Sequence, residues 1–170
     1  MALVLDGNGT MTVGNGDITG LATGALPSTV IGTGAVLRVV SQFFTGAEIS
    51  TSSASWAATG ISLAITPTSS SSKILAHASF DGAGPNANSK TCEWTIFRGG
   101  SALITSNAGG ILQYDNSATN FHGSVNLHYM DSPATTSSTS YEIYFKTNGA
   151  GMRLSRDWGG IMFTLMEIAV

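Results

Sequence analysis

Apolar and polar residues alternate with a period of two along much of this chain, which predicts β-strands. The pattern is clearest in residues 59–80, where two alternating runs flank a break. The break contains Pro67, which lacks a backbone donor, and four serines whose hydroxyls compete for backbone hydrogen bonds, so the chain should leave the sheet there. The apolar positions of the two runs are Ile61, Leu63, Ile65, Ile74, Ala76, Ala78 and Phe80.

Further strands follow the same pattern, and no stretch has a convincing helical period. A series of about eight to ten strands bounded by turns predicts an all-β protein whose head is a jelly-roll β-sandwich. Polar loops are predicted at residues 50–55 and 81–90. The other predicted strands span residues 36–44, 91–98, 102–105, 110–114, 125–130, 141–146, 152–155 and 160–168.

The last predicted strand, residues 160–168, is apolar on both of its faces. A two-layer sandwich buries only one face of each strand, so the second face needs a cover, either a partner subunit or the N-terminal segment. We predict that this second face forms a subunit interface. The core face contains Ile161, Phe163 and Leu165, and the predicted interface contains Met162, Met166 and Ile168.

Residues 1–34 differ in composition from the rest of the chain. They include eight glycines and no aromatic residue, and they contain the tandem pair GNGTMTV and GNGDITG with turn-forming Asn-Gly steps. Because they hold too little apolar bulk for a core, we predict an extended attachment arm at 1–34 and a head domain at 35–170. Packing of the arm along its own head is the alternative. The expected apolar anchors of the arm are Leu3, Val4, Leu5, Met11, Val13, Ile18 and Leu21.

Composition limits the functions open to the chain. Its 170 residues suffice for one domain with a core and an appendage. Charged residues make up 10% of the chain, compared with about 25% in typical globular proteins, whereas 22 serines and 20 threonines predict a surface rich in hydroxyl groups. With seven basic and ten acidic residues, the chain has no basic stripe for phosphates, so no nucleic-acid partner is expected.

Cysteine content and hydropathy exclude several other classes of protein. A single cysteine, Cys92, excludes an intrachain disulfide and a cysteine-based zinc cluster, and we expect it in the core. No apolar run is long enough to span a membrane, so no membrane insertion is expected. The opening MALVL is short and lacks a basic residue, so no secretory signal peptide is expected.

Candidate catalytic residues form no recognisable pattern. No Gly-x-Ser-x-Gly motif is present, and the acidic residues Asp81, Asp115, Asp131 and Asp157 are scattered over predicted loops. We therefore predict a protein that is not an enzyme, has no catalytic residues and binds no cofactor.

The histidines of the chain are His77, His122 and His128. His122 and His128 would share a face of one extended strand, and a ring of such residues on a three-fold axis could hold zinc or nickel. Their spacing matches no established metal motif, so we interpret them as solvated or hydrogen-bonded side chains and predict no metal site.

Aromatic residues at loop edges offer surfaces for stacking on sugar rings. Trp56, Trp158 and Tyr114 are candidates, with ordinary packing as the alternative. The run SRDWGG brings Arg156, Asp157 and Trp158 near one turn, and we predict these three as receptor-contact residues. The turn-rich segment 81–90 is predicted to share this exposed surface.

Several segments of the sequence resemble the head domain of phage fibre and virion-surface proteins. They are TGISLAITPTSSSSKIL, YMDSPATTSSTSYEIYF and the closing TLMEIAV, and the opening MALVLDGNGTMTVGNGDITGLATGALP is similar to the leader of phage structural proteins. The resemblance implies a small jelly roll of the tumour-necrosis-factor and complement-globular-head type that assembles as a homotrimer. It also implies a location in the virion after assembly in the host cytoplasm.

The function that this resemblance implies is structural. The arm would dock on other virion proteins, and the head of a tail fibre or spike would face outward for host receptor binding, with a surface glycan as the expected receptor. A capsid decoration or head-fibre protein is the first alternative. A free carbohydrate-binding module or a glycan-cleaving enzyme is an alternative of a different class, and an enzyme would need two acids held close together.

Overall fold

The protein is all-β throughout the residues that its computed structural model describes, which are 4–5, 11–13, 16–17, 32–85, 90–105, 111–115, 123–149, 151–154 and 159–170. These residues form fourteen strands and no helix, and they therefore include no helix that could span a membrane. The strands are β1 (Val4–Leu5), β2 (Met11–Val13), β3 (Gly16–Asp17), β4 (Val36–Phe44), β5 (Ile49–Thr51), β6 (Ala57–Ile65), β7 (Lys73–Pro85), β8 (Lys90–Arg98), β9 (Ser101–Ala102), β10 (Ile111–Asp115), β11 (Gly123–Asp131), β12 (Thr139–Thr147), β13 (Met152–Leu154) and β14 (Ile161–Ile168).

Two antiparallel sheets pack face to face and enclose the core. The β12 sheet has the strand order β10-β8-β12-β6, with β9 paired to β8. In the β14 sheet, β7 pairs with β14 and β13 along one edge and with β11 along the other. Strand β4 pairs with β14, and β5 pairs with β13, so β4 and β11 form opposite edges of this sheet.

The order of the long strands is that of a jelly roll. Numbered one to eight along the chain, β4, β6, β7, β8, β10, β11, β12 and β14 form sheets with the orders 1-8-3-6 and 2-7-4-5. Each sheet combines strands from both halves of the chain, as two interleaved Greek keys require. The predicted all-β jelly-roll sandwich is confirmed.

The core lies between the two sheets and follows the predicted alternation. All seven apolar positions of residues 59–80 are buried, and Cys92 is buried as predicted. The Phe80 and Trp94 rings meet between the sheets with their centroids 6.3 Å apart. Full burial of a large apolar side chain contributes about 1.5–3 kcal/mol. The largest fully buried side chains are Trp94, Tyr141, Phe145, Phe163, Ile61, Ile65, Ile74, Ile96, Leu127, Ile143, Met152 and Leu154.

Strand β6 contains a bulge at Thr59 and Gly60. The register between β6 and β12 shifts at this point. Gly60 has a φ of +74°, a left-handed conformation that glycine adopts without steric cost. The Thr59 hydroxyl donates to the Ile143 carbonyl at 2.7 Å and accepts from the Ile61 amide at 3.2 Å, which satisfies backbone groups that the bulge removes from the ladder.

The break predicted at Pro67 is a loop held by a buried carboxylate. Glu167, near the end of β14, is fully buried, and its Oε1 accepts hydrogen bonds from the Thr68 amide and the Thr68 hydroxyl, both at 2.7 Å. Burial alone would raise the pKa of Glu167, but hydrogen bonds to its carboxylate, first among them those from Thr68, outweigh that effect and lower the pKa. The serine-rich loop is thus tied to the last strand.

Two segments predicted as loops belong partly to strands. β5 overlaps the predicted loop at 50–55, and β7 continues through Asp81 to Pro85 instead of ending at Phe80. Pairing explains both differences, because β13 pairs with β5 on one side and with the end of β7 on the other. At the end of β7, pairing with neighbouring strands overrides the low strand propensity of glycine and proline.

The N-terminal segment contains three short strands, β1, β2 and β3, which pair antiparallel in chain order. Leu5 lies opposite Met11, and Val13 lies opposite Gly16. The boundary between arm and head at residue 34 stays a prediction. Three of the predicted anchors lie outside the described residues, namely Leu3, Ile18 and Leu21.

Candidate functional site

Strand β14 presents the face that the sequence predicts as an interface, and its neighbours extend this face. Residues directly opposite each other in antiparallel strands point to the same side of a sheet, so the strand registers define which side chains share a face. Because Ile161, Phe163 and Leu165 point into the core, the alternate positions of β14 point outward. Around β14, the outer face of the sheet consists of these positions and their partners on β4, β7 and β11, and β13, β5 and the end of β7 continue the sheet beyond them.

Four rows of side chains cross this outer face. When the rows are numbered from the Phe43 end of the face to the Val36 end, every side chain of the third row is apolar and every side chain of the second row is polar. The predicted interface residues occupy the first, third and fourth rows on β14. The first row contains Phe43, Met162, Ser79 and Asn126; the second contains Ser41, Thr164, His77 and His128; the third contains Val39, Met166, Leu75 and Met130; and the fourth contains Val36, Ile168 and Lys73.

Much of the apolar surface in these rows is exposed to solvent. Val36, Val39 and Phe43 are each more than half exposed, and Met162 and Met130 are 42% and 45% exposed. These five are among the six large hydrophobic side chains that are exposed in the described part of the chain. Several large apolar side chains exposed on one face of a folded protein are characteristic of an interaction surface.

The two hydroxyls of the polar row bond to each other, and the four rows carry little charge. The hydroxyls of Ser41 and Thr164 are 2.7 Å apart, and the Ser41 hydroxyl also lies 3.2 Å from the Met162 sulfur. Lys73, at one corner, is the only lysine, arginine, aspartate or glutamate in the four rows. The face can therefore be covered by an apolar partner without burial of an unpaired charge at its centre.

Glycine at position 160 allows the Phe43 ring to lie close to the start of β14. Gly160 has a φ of +73°, and a Cβ added there would lie 2.4 Å from Phe43 Cζ and 2.9 Å from the Phe44 carbonyl oxygen. Any other residue would meet both a strained backbone conformation and a steric clash. The Phe43 ring is thus positioned by a contact within the chain at one end of the outer face.

The interface predicted from the sequence contains the β14 residues of this face but none of their neighbours on β4, β7 and β11. A signal was present in β4, where Val39 and Phe43 are apolar on one side and Val40 and Phe44 pack against the core on the other. Like β14, this strand is therefore apolar on both faces. Met130 carries no such signal, because its place beside β7 depends on pairing between distant strands.

The two segments predicted to contact a receptor approach each other at one end of the β14 sheet. Gly159 lies against Asp81, since a Cβ on Gly159 would be 3.7 Å from the Asp81 Cβ. Asp81 also accepts a hydrogen bond from the Ser124 hydroxyl. Outside the described residues lie the predicted receptor-contact residues themselves, Arg156, Asp157 and Trp158.

The outer face of the β12 sheet carries an aromatic cluster whose members cover one another. The rings of Phe97 and Tyr144 stack with centroids 3.9 Å apart, and Trp56 meets Phe97 edge-on at 6.0 Å. The Lys146 ammonium lies 4.7 Å from the Trp56 ring centroid and 3.2 Å from the Glu93 carboxylate. Trp56, a candidate for stacking on sugar, thus already has a cation over its ring.

A buried polar cluster joins the two sheets near the end of β11. Asp131 is 5% exposed, and its Oδ2 accepts a hydrogen bond from the Tyr141 hydroxyl at 2.7 Å and pairs with Arg98 Nε at 2.8 Å. Burial and then the contact with Asp131 raise the pKa of Tyr141, so the phenol stays protonated. Across the described ranges, no group of three or more His, Cys, Asp or Glu side chains is arranged to hold a metal ion.

Comparison with known proteins finds only distant structural similarity. No protein-family model and no curated protein matches the sequence. The crystal structure of the infectious bursal disease virus VP2 subviral particle matches with a TM-score of 0.41 and 10% identity, over 78% of this chain and 38% of that chain. The structure of the Gx strain of infectious bursal disease virus matches with a TM-score of 0.37 and 11% identity, over 78% and 40% of the two chains. The chain thus spans about two fifths of the length of these virus proteins, and similarity at this level defines neither a family nor a function.

Proposed function

We propose that this chain is a non-enzymatic structural protein of a phage virion, a homotrimer of fibre or spike type. Its N-terminal arm docks on other virion proteins, and its head faces outward and adheres to the host surface, with glycan as the receptor. The observation that carries the proposal is the exposed apolar outer face of the β14 sheet. Such a face needs a cover, and assembly with other copies supplies one.

A second copy of the chain is the partner that this face fits best. The four rows contain one lysine and no acidic residue, so identical faces can meet with little charge repulsion. Met162, Met166 and Ile168 would each contribute up to about 1.5–3 kcal/mol if fully buried, and symmetry repeats every contact. The three-fold symmetry of the proposed assembly comes from the sequence resemblance.

The virion role is supported by the sequence and by the fold class together. The sequence segments that resemble phage head domains include most of β6, the loop tied to Glu167, and the connection between β11 and β12. These are framework elements of the jelly roll, which is the fold that the resemblance implies. A surface rich in hydroxyl groups and poor in charge also suits a particle component that contacts other proteins over a large area.

Deletion of residues 1–34 tests the proposed division between arm and head. The truncated chain should remain folded and keep the mass of the full-length assembly, but it should no longer join particles, as measured by immunolabelling in electron micrographs. Full-length protein produced in parallel is the control. Unfolding of the truncated chain, or its continued incorporation, would contradict the role of the arm. Aggregation that begins only after truncation would show that the arm, and not a second copy, covers the outer face.

A further inference from the structure

We propose that His77 and His128 form a binding site for a divalent transition-metal ion on the outer face of the β14 sheet. The two residues are far apart in the sequence but lie directly opposite each other on β7 and β11. Opposed side chains of antiparallel strands have Cβ atoms about 4.5–5.5 Å apart, which allows two imidazoles to bind one ion. This pair differs from the ring considered in the sequence, which involves His122 and His128.

The surroundings of the pair leave the imidazole nitrogens available. His77 is half-buried and His128 is exposed. Within the described part of the chain, no hydrogen bond or ion pair involves either imidazole. The rest of their row consists of Thr164 and Ser41, whose hydroxyls bond to each other. No lysine or arginine lies in this row or in the two rows beside it, so no fixed cation repels an incoming metal ion.

Imidazole chemistry defines which ions the site should take. Neutral imidazole is the commonest protein ligand for zinc, copper and nickel, and affinity among divalent ions of the first row is highest for Cu²⁺. Two protein ligands leave the other coordination positions to water. Mg²⁺ and Ca²⁺ prefer oxygen ligands and should not bind to this pair. We therefore expect Cu²⁺ to bind more tightly than Ni²⁺ or Zn²⁺, and no competition from Mg²⁺.

The position of the pair separates this site from the proposed self-association. Most of the exposed apolar side chains are on β4 and β14, whereas the two histidines lie on β7 and on the edge strand β11. An ion can therefore reach the histidines while copies of the chain meet through the β4 and β14 side of the face. Metal affinity and oligomeric mass can therefore be measured as independent properties of the same protein.

Isothermal titration calorimetry of the full-length protein with Cu²⁺, Ni²⁺, Zn²⁺ and Mg²⁺ near neutral pH tests the site. We expect one transition-metal ion per chain, and either His77→Asn or His128→Asn should weaken binding at least about tenfold, which corresponds to ~1.4 kcal/mol. His122→Asn is the matched control and should bind as the wild type does. Binding should also weaken in acid, because protons compete for the imidazole nitrogens.

Two results would overturn the proposal of a metal site at His77 and His128. The first is the absence of transition-metal binding both in the wild type and in the Met166→Asp variant, in which the proposed assembly is disrupted and the face is open. The second is equal affinity of the wild type and both histidine variants, which would place the ion elsewhere. Unchanged thermal unfolding of the variants without metal shows that they are folded. Failure of the metal site with an intact oligomeric mass would leave the assembly proposal standing.

Discussion

The outer faces of the two sheets differ in how their apolar side chains are covered. On the β12 sheet, Phe97 stacks on Tyr144 and meets Trp56 edge-on, while Lys146 lies over the Trp56 ring. On the β14 sheet, Phe43 and several aliphatic neighbours are about half exposed, although they lie beside one another. The first face is completed by contacts within the chain. The second has no comparable cover among the described residues.

The difference shows that apolar residues on the outer face of a sheet indicate an interaction surface only when their neighbours leave them uncovered. An aromatic ring held by two other rings stabilises its own subunit. Aliphatic and methionine side chains in a nearly uncharged row can instead be buried by a partner. Substitutions on the β12 sheet should therefore change the stability of the fold, and substitutions on the β14 sheet should change assembly.

The largest expected effect is the loss of assembly in the Met166→Asp variant. Met166 lies in the apolar third row, and a carboxylate there would be buried without a partner in every copy of the interface. Size-exclusion chromatography with light scattering should show a shift to monomer while the circular dichroism spectrum is retained. Ala64→Asp, at an exposed position of β6, is the matched control and should keep the wild-type mass. A Met166→Asp protein of wild-type mass would place any interface elsewhere.

Two phenylalanine substitutions, one on each sheet, compare the two outer faces directly and should have effects of intermediate size. Phe97→Ala removes a ring with two aromatic contacts and should lower the free energy of unfolding by about 2–3 kcal/mol without changing the oligomeric mass. Phe43→Ala removes a ring that is more than half exposed and should cost less than about 1 kcal/mol in the monomer while weakening assembly. Urea unfolding on the Met166→Asp background compares the two as monomers. The opposite ranking would contradict the distinction between the faces.

The smallest expected effect concerns Glu167, which follows Met166 in β14 but points into the core. The folded-state pKa of Glu167 lies below its ordinary value of 4.5, so its contribution to stability is fully present above about pH 4.5 and is lost as the pH falls through the folded-state value. Glu167→Gln should remove this pH dependence and lower the free energy of unfolding at neutral pH by about 1 kcal/mol, because charge-assisted bonds from Thr68 become neutral ones. Urea unfolding between acidic and neutral pH measures both effects. The oligomeric mass should not change, and a change would mean that assembly responds to the interior of β14 as well as to its outer face.

The local pattern of apolar and polar residues predicts where the strands of this protein lie better than it predicts which strands pair. Strand β4 has the bounds expected from the sequence, and core positions such as Ile61 are identified, because burial of one strand face leaves a period-two signal. The opposition of His77 and His128 and the place of Met130 on the outer face leave no such signal, since they depend on which distant strands pair. The partner of the serine-rich loop, Glu167, is hidden from local analysis for the same reason.

The mass of the wild-type protein in solution is the most direct test of whether other copies of the chain cover the outer face of the β14 sheet. At micromolar concentration, light scattering on the full-length chain should give about three times the 17.4 kDa of one chain, and His77→Asn and His128→Asn should give the same value. A mass of one chain at that concentration would contradict self-association through this face, because the exposed residues of β4 and β14 would then need a different cover.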